Sequence, residues 1–142
     1  MKFIVHTDGG ARGNPGPAAI GVVIEEVTSD KRQETRMEFG KRIGEVTNNV
    51  AEYTAIKEAL KEMKSLELRI KSEKLEIFFY LDSTLVVNQL KGLFKIKDAT
   101  LRSLATDIRI LEQEVGGSVH YTVVPREQNK HADFLVNQAL GA

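Results

Sequence analysis

An unbroken run of apolar and aromatic residues, Ile-Phe-Phe-Tyr-Leu, occupies positions 77–81. A run of this kind and length is typical of a strand buried on both faces, as central strands of parallel sheets are. We therefore predict a buried strand in a central parallel position over residues 74–81. The other elements of the chain then have to supply the rest of the sheet and its helical layers.

Three β-type segments precede this run, at residues 2–7, 18–26 and 34–43. Short connections between them favour an antiparallel meander. The Gly- and Pro-rich residues 8–17 are predicted to form a loop, with Pro15–Gly16 at the centre of a type II turn.

Apolar residues that recur at intervals of three and four predict amphipathic helices. The further elements, in chain order, are a helix at 50–66, a short helix at 83–91, a helix at 101–115 capped by Asp98 and stopped by Gly116–Gly117, a strand at 118–124 and a helix at 129–140. The order βββαβααβα predicts an α/β domain in which helices flank a mixed sheet.

Composition narrows the classes of function. The chain has 142 residues and no cysteine, which excludes disulfide frameworks, zinc–thiolate sites and cysteine nucleophiles.

No linker or repeat divides the chain, so we expect one domain over residues 1–142. It has no apolar run of about 18 residues and no signal-peptide pattern, so we expect no membrane span and a cytoplasmic location. Twenty basic and twenty acidic side chains cancel, so any binding of nucleic acid has to rest on a local site.

Four acidic residues occupy notable positions. Asp8 and Asp82 directly follow predicted strands, whereas Glu52 and Asp133 lie in the predicted first turns of helices. Each position also fits a purely structural role as a turn, a helix cap or a favourable charge at a helix N-terminus. If the four carboxylates converge at one sheet edge, their repulsion requires a cation. Oxygen ligands indicate Mg²⁺ or Mn²⁺, and two such ions are the usual arrangement for phosphodiester hydrolysis.

Four segments, in this order, resemble the motifs of the type 1 ribonuclease H family. They are residues 7–17 (TDGGARGNPGP), 47–52 (TNNVAE), 81–83 (LDS) and 126–133 (REQNKHAD). The resemblance covers essentially the whole chain. It implies a five-stranded mixed sheet of the ribonuclease H-like fold and hydrolysis of the RNA strand of RNA–DNA hybrids.

The resemblance also assigns residues. It implies that two divalent ions, Mg²⁺ with Mn²⁺ as a possible substitute, are held by Asp8, Glu52, Asp82 and Asp133, which are the catalytic residues. Neutral amides and backbone groups suit recognition of a 2′-hydroxyl, which distinguishes RNA from DNA. The residues we assign to substrate binding are Gly9, Gly10, Asn14, Thr47, Asn48, Asn49, Ser83, Phe94, Arg126 and Asn129. For Asn48 and Asn49, helix capping stays an alternative.

The sequence departs from the family pattern in two places. Many relatives carry a basic protrusion before the second long helix, whereas here residues 93–97 lead directly to Asp98. The basic side chains that remain in this region are predicted to contact the DNA strand; they are Lys91, Lys95, Lys97 and Arg102. Phe94 lies among them and is predicted to contact the same strand, with core packing as the alternative. We expect no separate hybrid-binding domain before the first strand.

Several relatives also place a histidine in the loop before the last acid. Residues 124–129 contain none. His131 lies two positions from Asp133, and such positions on a helix do not face each other. We predict that His131 faces solvent and that Arg126 takes over the role of the loop histidine. For His6 and His120 we predict structural roles.

Three functions are therefore compatible with the sequence. The first is a metal-dependent endonuclease that hydrolyses the RNA strand of RNA–DNA hybrids. The second is a related nuclease acting on double-stranded RNA or on DNA, and the third is a hybrid-binding module without catalysis. For all three the expected partner is a nucleic-acid duplex, with no membrane and no obligate protein partner, and the expected state is a monomer.

Overall fold

The computed structural model describes residues 1–67 and 74–141. Its elements, in chain order, are β1 (Lys2–Ala11), β2 (Gly16–Val27), β3 (Gln33–Val46), α1 (Asn48–Glu67), β4 (Glu76–Leu81), α2 (Thr84–Leu90), α3 (Ala99–Val115), β5 (Ser118–Val123), a 3₁₀ turn (Arg126–Gln128) and α4 (Lys130–Leu140). The predicted order βββαβααβα is confirmed.

The five strands form one sheet in the order β3-β2-β1-β4-β5. The β1–β2 and β2–β3 pairs are antiparallel, whereas β4 is parallel to both of its neighbours, β1 and β5. The meander and the central parallel strand are thus both present. Because β1 and β4 run in parallel, residues at their carboxyl ends meet at one sheet edge.

The main core lies between the sheet and the helices α1 and α3. Fully buried Tyr53 and Ile56 of α1 pack there with Phe79 of β4, and Ile108 of α3 joins the same cluster. The helix α4 packs on the opposite face, against β1, β2 and β3. Among residues 1–67 and 74–141, no helix is both long and apolar enough to cross a membrane.

The start of α3 is capped as expected. The Asp98 side chain accepts a hydrogen bond from the Leu101 N–H at 2.9 Å, and Gly116, with a φ of 82°, ends the helix. A left-handed residue at this position closes the last turn of a helix at little cost only when it is glycine.

The predicted loop at residues 8–17 is too long. The strand β1 continues through Ala11 and pairs Asp8 with Gly21. The turn itself has a positive φ of 96° at Gly13, and Gly16 already belongs to β2, so the type II turn centred on Pro15–Gly16 is wrong. Of the glycines that suggested a loop, Gly13 lies in the turn, whereas Gly9 serves close packing within the strand, as shown below.

The prediction that β4 is buried on both faces is wrong for one face. Ile77, Phe79 and Leu81 are buried, whereas Phe78 and Tyr80 are only half-buried. On that outer face the Phe78 ring stacks on His120 at 4.8 Å between ring centroids, and Tyr80 stacks on His6 at 5.5 Å. Side-chain stacking on the sheet surface therefore takes the place of a covering helix.

Candidate active site

Three carboxylates from three separate elements meet at the edge where β1 and β4 end. One oxygen from each of Asp8 (β1), Glu52 (α1) and Asp82 (directly after β4) can be chosen so that all three lie within 4.8 Å of one another. Asp8 and Glu52 are each only 7% exposed. Asp8 does not follow the strand as predicted but lies within it.

Glu52 is held in place by the backbone of β1. Its Oε1 accepts a hydrogen bond from the Gly9 N–H at 2.9 Å. A Cβ at Gly9 would lie 2.3 Å from the carbonyl carbon of Ala51, so only glycine permits this approach of α1 to β1. The Gly9 N–H is thus used inside the protein, and a contact of the Gly9 backbone with substrate stays a prediction.

Glu52 lies in the second turn of α1, not in the first. The helix begins at Asn48 because Thr47 caps it: the Thr47 hydroxyl accepts a hydrogen bond from the Val50 N–H at 3.2 Å. The alternative roles of Asn48 and Asn49 as helix caps are therefore wrong, since both residues lie within the helix. Because a full turn of α1 precedes Glu52, its side chain lies beyond the cap, where it contacts the Gly9 N–H of β1.

The start of α1 is tied to the β1–β2 connection by two amides. The Asn14 Oδ1 accepts from the Asn48 N–H at 2.9 Å, and the Asn48 Oδ1 accepts from the Ala11 N–H at 2.8 Å. Asn14 and Asn48 are both exposed. Each uses its carbonyl oxygen internally, so only the amide NH₂ groups are left as candidate groups for substrate.

Asp133 lies in the first turn of α4 and approaches the same cluster. Its side chain is 34% exposed, and its Oδ1 is 3.8 Å from the Arg126 guanidinium. Its negative charge contributes to a raised pKa at both Asp8 and Asp82. The predicted fourth carboxylate therefore lies at the rim of the cluster, next to a cation.

Burial and mutual repulsion raise the pKa values of the clustered carboxylates. Burial raises the pKa of Asp8 to about 7, and the charges of Asp82 and Asp133 act in the same direction. Burial also raises the pKa of Glu52 well above its ordinary value, and the neighbouring Asp8 adds to this. Burial raises the pKa of Asp82, which the Arg126 charge opposes. A set of ligands made only of carboxylate oxygens fits a hard divalent cation, which would remove this repulsion.

The metal-free protein should therefore become less stable as the pH rises. The pKa of Asp8 is higher in the folded protein than its ordinary value of 3.8, so its contribution to the unfolding free energy falls between about pH 4 and about pH 7. We expect the melting temperature of Asp8→Asn in EDTA at about pH 8 to exceed that of the wild type by about 4 °C or more. The difference should shrink at about pH 5.

Thermal unfolding with and without Mg²⁺ checks this expectation. The cation should raise the wild-type melting temperature more than that of the variant, because it binds the folded carboxylates. Equal melting temperatures for the two proteins in EDTA at about pH 8 would show that the Asp8 charge is already compensated.

A cleft of about 880 Å³ surrounds the carboxylates. Among the residues predicted to bind substrate, those that line it are Gly9, Gly10, Asn48, Asn49, Ser83 and Arg126. Ser83 also caps α2, since its hydroxyl accepts a hydrogen bond from the Val86 N–H at 3.2 Å. Asn14 and Thr47 act at the start of α1, as described above, and are not part of the lining.

Asn129, which was predicted to bind substrate, is buried in the structure. It is 1% exposed, and both ends of its amide are used inside the protein. Its Nδ2 donates to the Thr7 carbonyl at 2.8 Å, and its Oδ1 is 3.0 Å from the His6 Nδ1. It therefore fastens the start of α4, and with it Asp133, to β1. The His6 ring is part of this structural contact, as predicted for that residue.

Phe94 and the neighbouring lysines lie on a surface outside the cleft lining. Phe94 is 48% exposed, so the alternative of core packing is wrong. Lys91, Lys95 and Lys97 are also exposed. They follow the short helix α2, which starts beside Asp82 and is seven residues long. The seven residues of α2 rise about 10 Å along its axis, and the lysines follow its far end from Asp82.

His131 faces away from the carboxylates. Its Nε2 lies 2.9 Å from Glu38 of β3, and its side chain is 53% exposed. Arg126 is the cationic side chain that lies beside Asp133 and Asp82. This arrangement agrees with the solvent-facing position predicted for His131.

Two arginines that our sequence analysis gave no role hold the other end of α4. Arg42 donates to the carbonyls of Ala139 and Leu140, both at 2.8 Å, and Arg12 donates to those of Leu140 and Gly141. Cations at a helix C-terminus favour its dipole and satisfy its last carbonyls. No sequence signal marks these contacts, because Arg12 and Arg42 lie about 100 residues or more from their partners.

A sheet of order β3-β2-β1-β4-β5, with one carboxylate on β1 and another directly after its parallel neighbour β4, defines the ribonuclease H fold. The family described as "Reverse transcriptase-like" matches residues 6–139. The chain belongs to the type 1 ribonuclease H family, in its compact form.

The similar proteins are consistent with this assignment. The solved structure of LC11-RNase H1, isolated from compost by a metagenomic approach, in complex with an RNA/DNA hybrid is 42% identical with a TM-score of 0.86, and the match covers 96% of this chain and 95% of that one. RNase H1 of the archaeon Halobacterium salinarum is 36% identical with a TM-score of 0.85, over 99% of this chain and 98% of that one.

A bifunctional protein of Mycobacterium tuberculosis is 37% identical over 100% of this chain. The chain spans 36% of the length of that protein, about a third. The separately solved N-terminal RNase H domain of the mycobacterial protein matches with a TM-score of 0.83 and 35% identity, over 99% of this chain and 100% of that domain.

Proposed function

We propose that the protein is an endonuclease that hydrolyses the RNA strand of RNA–DNA hybrids. The observation that carries this proposal is the convergence of Asp8, Glu52 and Asp82 within 4.8 Å in a chain of the type 1 ribonuclease H family. The complex of LC11-RNase H1 with an RNA/DNA hybrid supports the choice of substrate.

The four carboxylates would hold two divalent cations, Mg²⁺ with Mn²⁺ as a substitute. When bound, such ions neutralise the phosphodiester charge, lower the pKa of a bound water and stabilise the leaving oxygen. Asp8, Glu52 and Asp82 would form the inner part of this site, and Asp133 would complete it from the rim. The buried oxygens of Asp8 and Glu52 suit direct binding, because burial leaves them few competing water contacts.

The other cleft residues would position the duplex. Asn48 and Asn49 line the cleft, and their amide NH₂ groups can donate to a 2′-hydroxyl or to a base edge. Gly10 keeps the wall low, so that a sugar–phosphate chain can come close to the carboxylates. The Arg126 guanidinium is 80% exposed and can attract the phosphate that follows the cleaved bond.

The exposed lysines at residues 91–97 would contact the DNA strand. They follow the end of α2 that lies away from Asp82. The RNA strand at the carboxylates and the DNA strand at the lysines would then face each other across the minor groove of the hybrid. A single catalytic domain over residues 1–142, a monomeric state and a cytoplasmic location stay predictions.

Incubation with labelled duplexes tests the proposed function. We expect cleavage of the RNA strand of a hybrid with Mg²⁺, none with EDTA, and little or none of an RNA or DNA duplex. Preferred cleavage of an RNA or DNA duplex would favour a related nuclease instead. Tight binding of the hybrid without cleavage under any divalent cation would favour a binding module.

The loop residues give a separate prediction. We expect His131→Ala to retain activity within about threefold, because its ring faces Glu38 and solvent, whereas general acid–base catalysis contributes about 10²- to 10⁴-fold. Arg126→Ala should lose more, mainly through a higher KM. Steady-state kinetics on a hybrid checks both variants, with Arg36→Ala on the exposed part of β3 as a control. A hundredfold loss in His131→Ala would make that histidine catalytic.

A further inference from the structure

The basic segment, residues 91–97, is irregular but contains three lysines and no carboxylate. It joins α2 to α3 without any helix or strand of its own. Its apolar residues Leu93 and Phe94 are 69% and 48% exposed. A free loop of this composition would be held apart by charge repulsion and would have to be ordered whenever it bound a partner.

The backbone of the basic segment is nevertheless fixed at several points. Near its start, the N–H groups of Leu93 and Phe94 both donate to the Asn88 carbonyl, at 2.9 and 3.1 Å. Near its end, the Arg102 guanidinium donates to the Lys97 carbonyl at 2.8 Å. Between them, the Gln89 Nε2 donates to the Lys95 carbonyl at 3.3 Å. The segment therefore has a defined shape before any partner arrives.

Gln89 is the interior member of this set, and it leads to the active-site helix. It is 7% exposed, and its Oε1 accepts a hydrogen bond of 2.6 Å from the hydroxyl of fully buried Tyr53. Tyr53 directly follows Glu52 in α1. One turn of α1 thus carries both a carboxylate of the cluster and the anchor of the basic segment.

We propose that Gln89 is a positioning residue, which with Tyr53 holds the basic segment at a fixed offset from the carboxylate cluster so that it receives the DNA strand without being ordered first. This inference rests on the proposed function, because the DNA strand is the partner it names. It assigns a role to two buried residues, Gln89 and Tyr53, neither of which belongs to the carboxylate cluster.

The proposal predicts an effect on binding and none on chemistry. A segment ordered in advance saves the entropy of ordering it on association. Loosening it should therefore raise KM, whereas the carboxylates and Arg126 are unchanged and kcat should stay the same.

The experiment compares three variants. Gln89→Met removes both hydrogen bonds at similar volume, and Tyr53→Phe removes only the hydroxyl. Tyr121→Phe is the matched control, because its ring is also buried and its hydroxyl also donates at 2.6 Å to a side chain, here Glu112. The readouts are kcat and KM on a hybrid, and amide hydrogen exchange of a peptide that covers residues 91–97.

For Gln89→Met we expect KM to rise about five- to tenfold, kcat to stay within about twofold and exchange in the basic segment to become at least about tenfold faster. Tyr53→Phe should show the same pattern with a smaller amplitude. Tyr121→Phe should lose comparable stability but leave KM and that exchange unchanged. A purely structural role would make Gln89→Met and Tyr121→Phe alike.

Two results would overturn the inference. Unchanged exchange in Gln89→Met would show that the segment is not held by this residue. Faster exchange with an unchanged KM would show that its order does not matter for substrate. A wild-type protein that neither binds nor cleaves hybrids would instead refute the proposed function, and the exchange data would still show whether Gln89 fixes the segment.

Discussion

Asp8→Asn and Asp82→Asn should each reduce hydrolysis of a hybrid by at least about a thousandfold, which corresponds to about 4 kcal/mol of lost transition-state stabilisation. The amide has the shape of the carboxylate but carries no charge. It would therefore weaken the binding of the proposed cations at the place where the three oxygens lie within 4.8 Å. Single-turnover assays at saturating Mg²⁺ measure the loss directly.

The fold should survive these substitutions. Both remove a negative charge from a cluster in which burial and neighbouring carboxylates raise the pKa, so stability without metal should not fall. Asp30→Asn, at an exposed position in the β2–β3 connection, serves as the control and should keep full activity. Turnover close to the wild-type rate in either site variant would remove Asp8 or Asp82 from the catalytic assignment.

Gly9→Ala should destabilise the protein by about 3 kcal/mol or more and also reduce activity strongly. The added Cβ would lie 2.3 Å from the Ala51 carbonyl carbon and 2.5 Å from the Glu52 nitrogen, and both are backbone atoms that cannot rotate away. Either α1 moves away from β1 or the strand distorts. In both cases Glu52 loses the hydrogen bond from the Gly9 N–H and its place among the carboxylates.

The neighbouring glycine provides the matched control. A Cβ at Gly10 would meet the Val136 Cγ1 at 3.6 Å, an ordinary van der Waals contact. Gly10→Ala should therefore change the unfolding free energy by less than about 1 kcal/mol. Chemical denaturation of the two variants separates them, and equal stabilities would mean that α1 can move away from β1 without loss.

The sequence was sufficient for the architecture because its signals are local. The run at 77–81, the spacing of apolar residues in α1 and α3, and the cap at Asp98 each depend on a few neighbouring residues. Convergence of Asp8 and Asp82 at one sheet edge was also considered, because each was expected to follow an apolar strand, and β1 and β4 do run in parallel.

What the sequence could not supply depends on contacts between distant residues. Glycines at 9 and 10 look like a loop, and only the approach of α1 shows that Gly9 serves close packing within a strand. Asn129 lies in a motif and looks like a substrate contact, but its partners lie more than 120 residues earlier in the chain. The tie between Tyr53 and Gln89 has no sequence signature either, since buried polar partners are chosen by the tertiary fold.

Because Asp133 lies on α4, the attachment of this helix at both ends determines how long all four carboxylates stay together. With eleven residues, this helix is too short to be stable alone, so its order depends on its packing against β1, β2 and β3 and on the contacts of Asn129 and the two arginines. Its undocking would be a local opening that leaves β1, α1 and β4 in place. Asp133 would leave the cluster in that opened form while the other three carboxylates stayed. The fraction of molecules that hold all four at once is then set by this local equilibrium, and not by the stability of the whole fold.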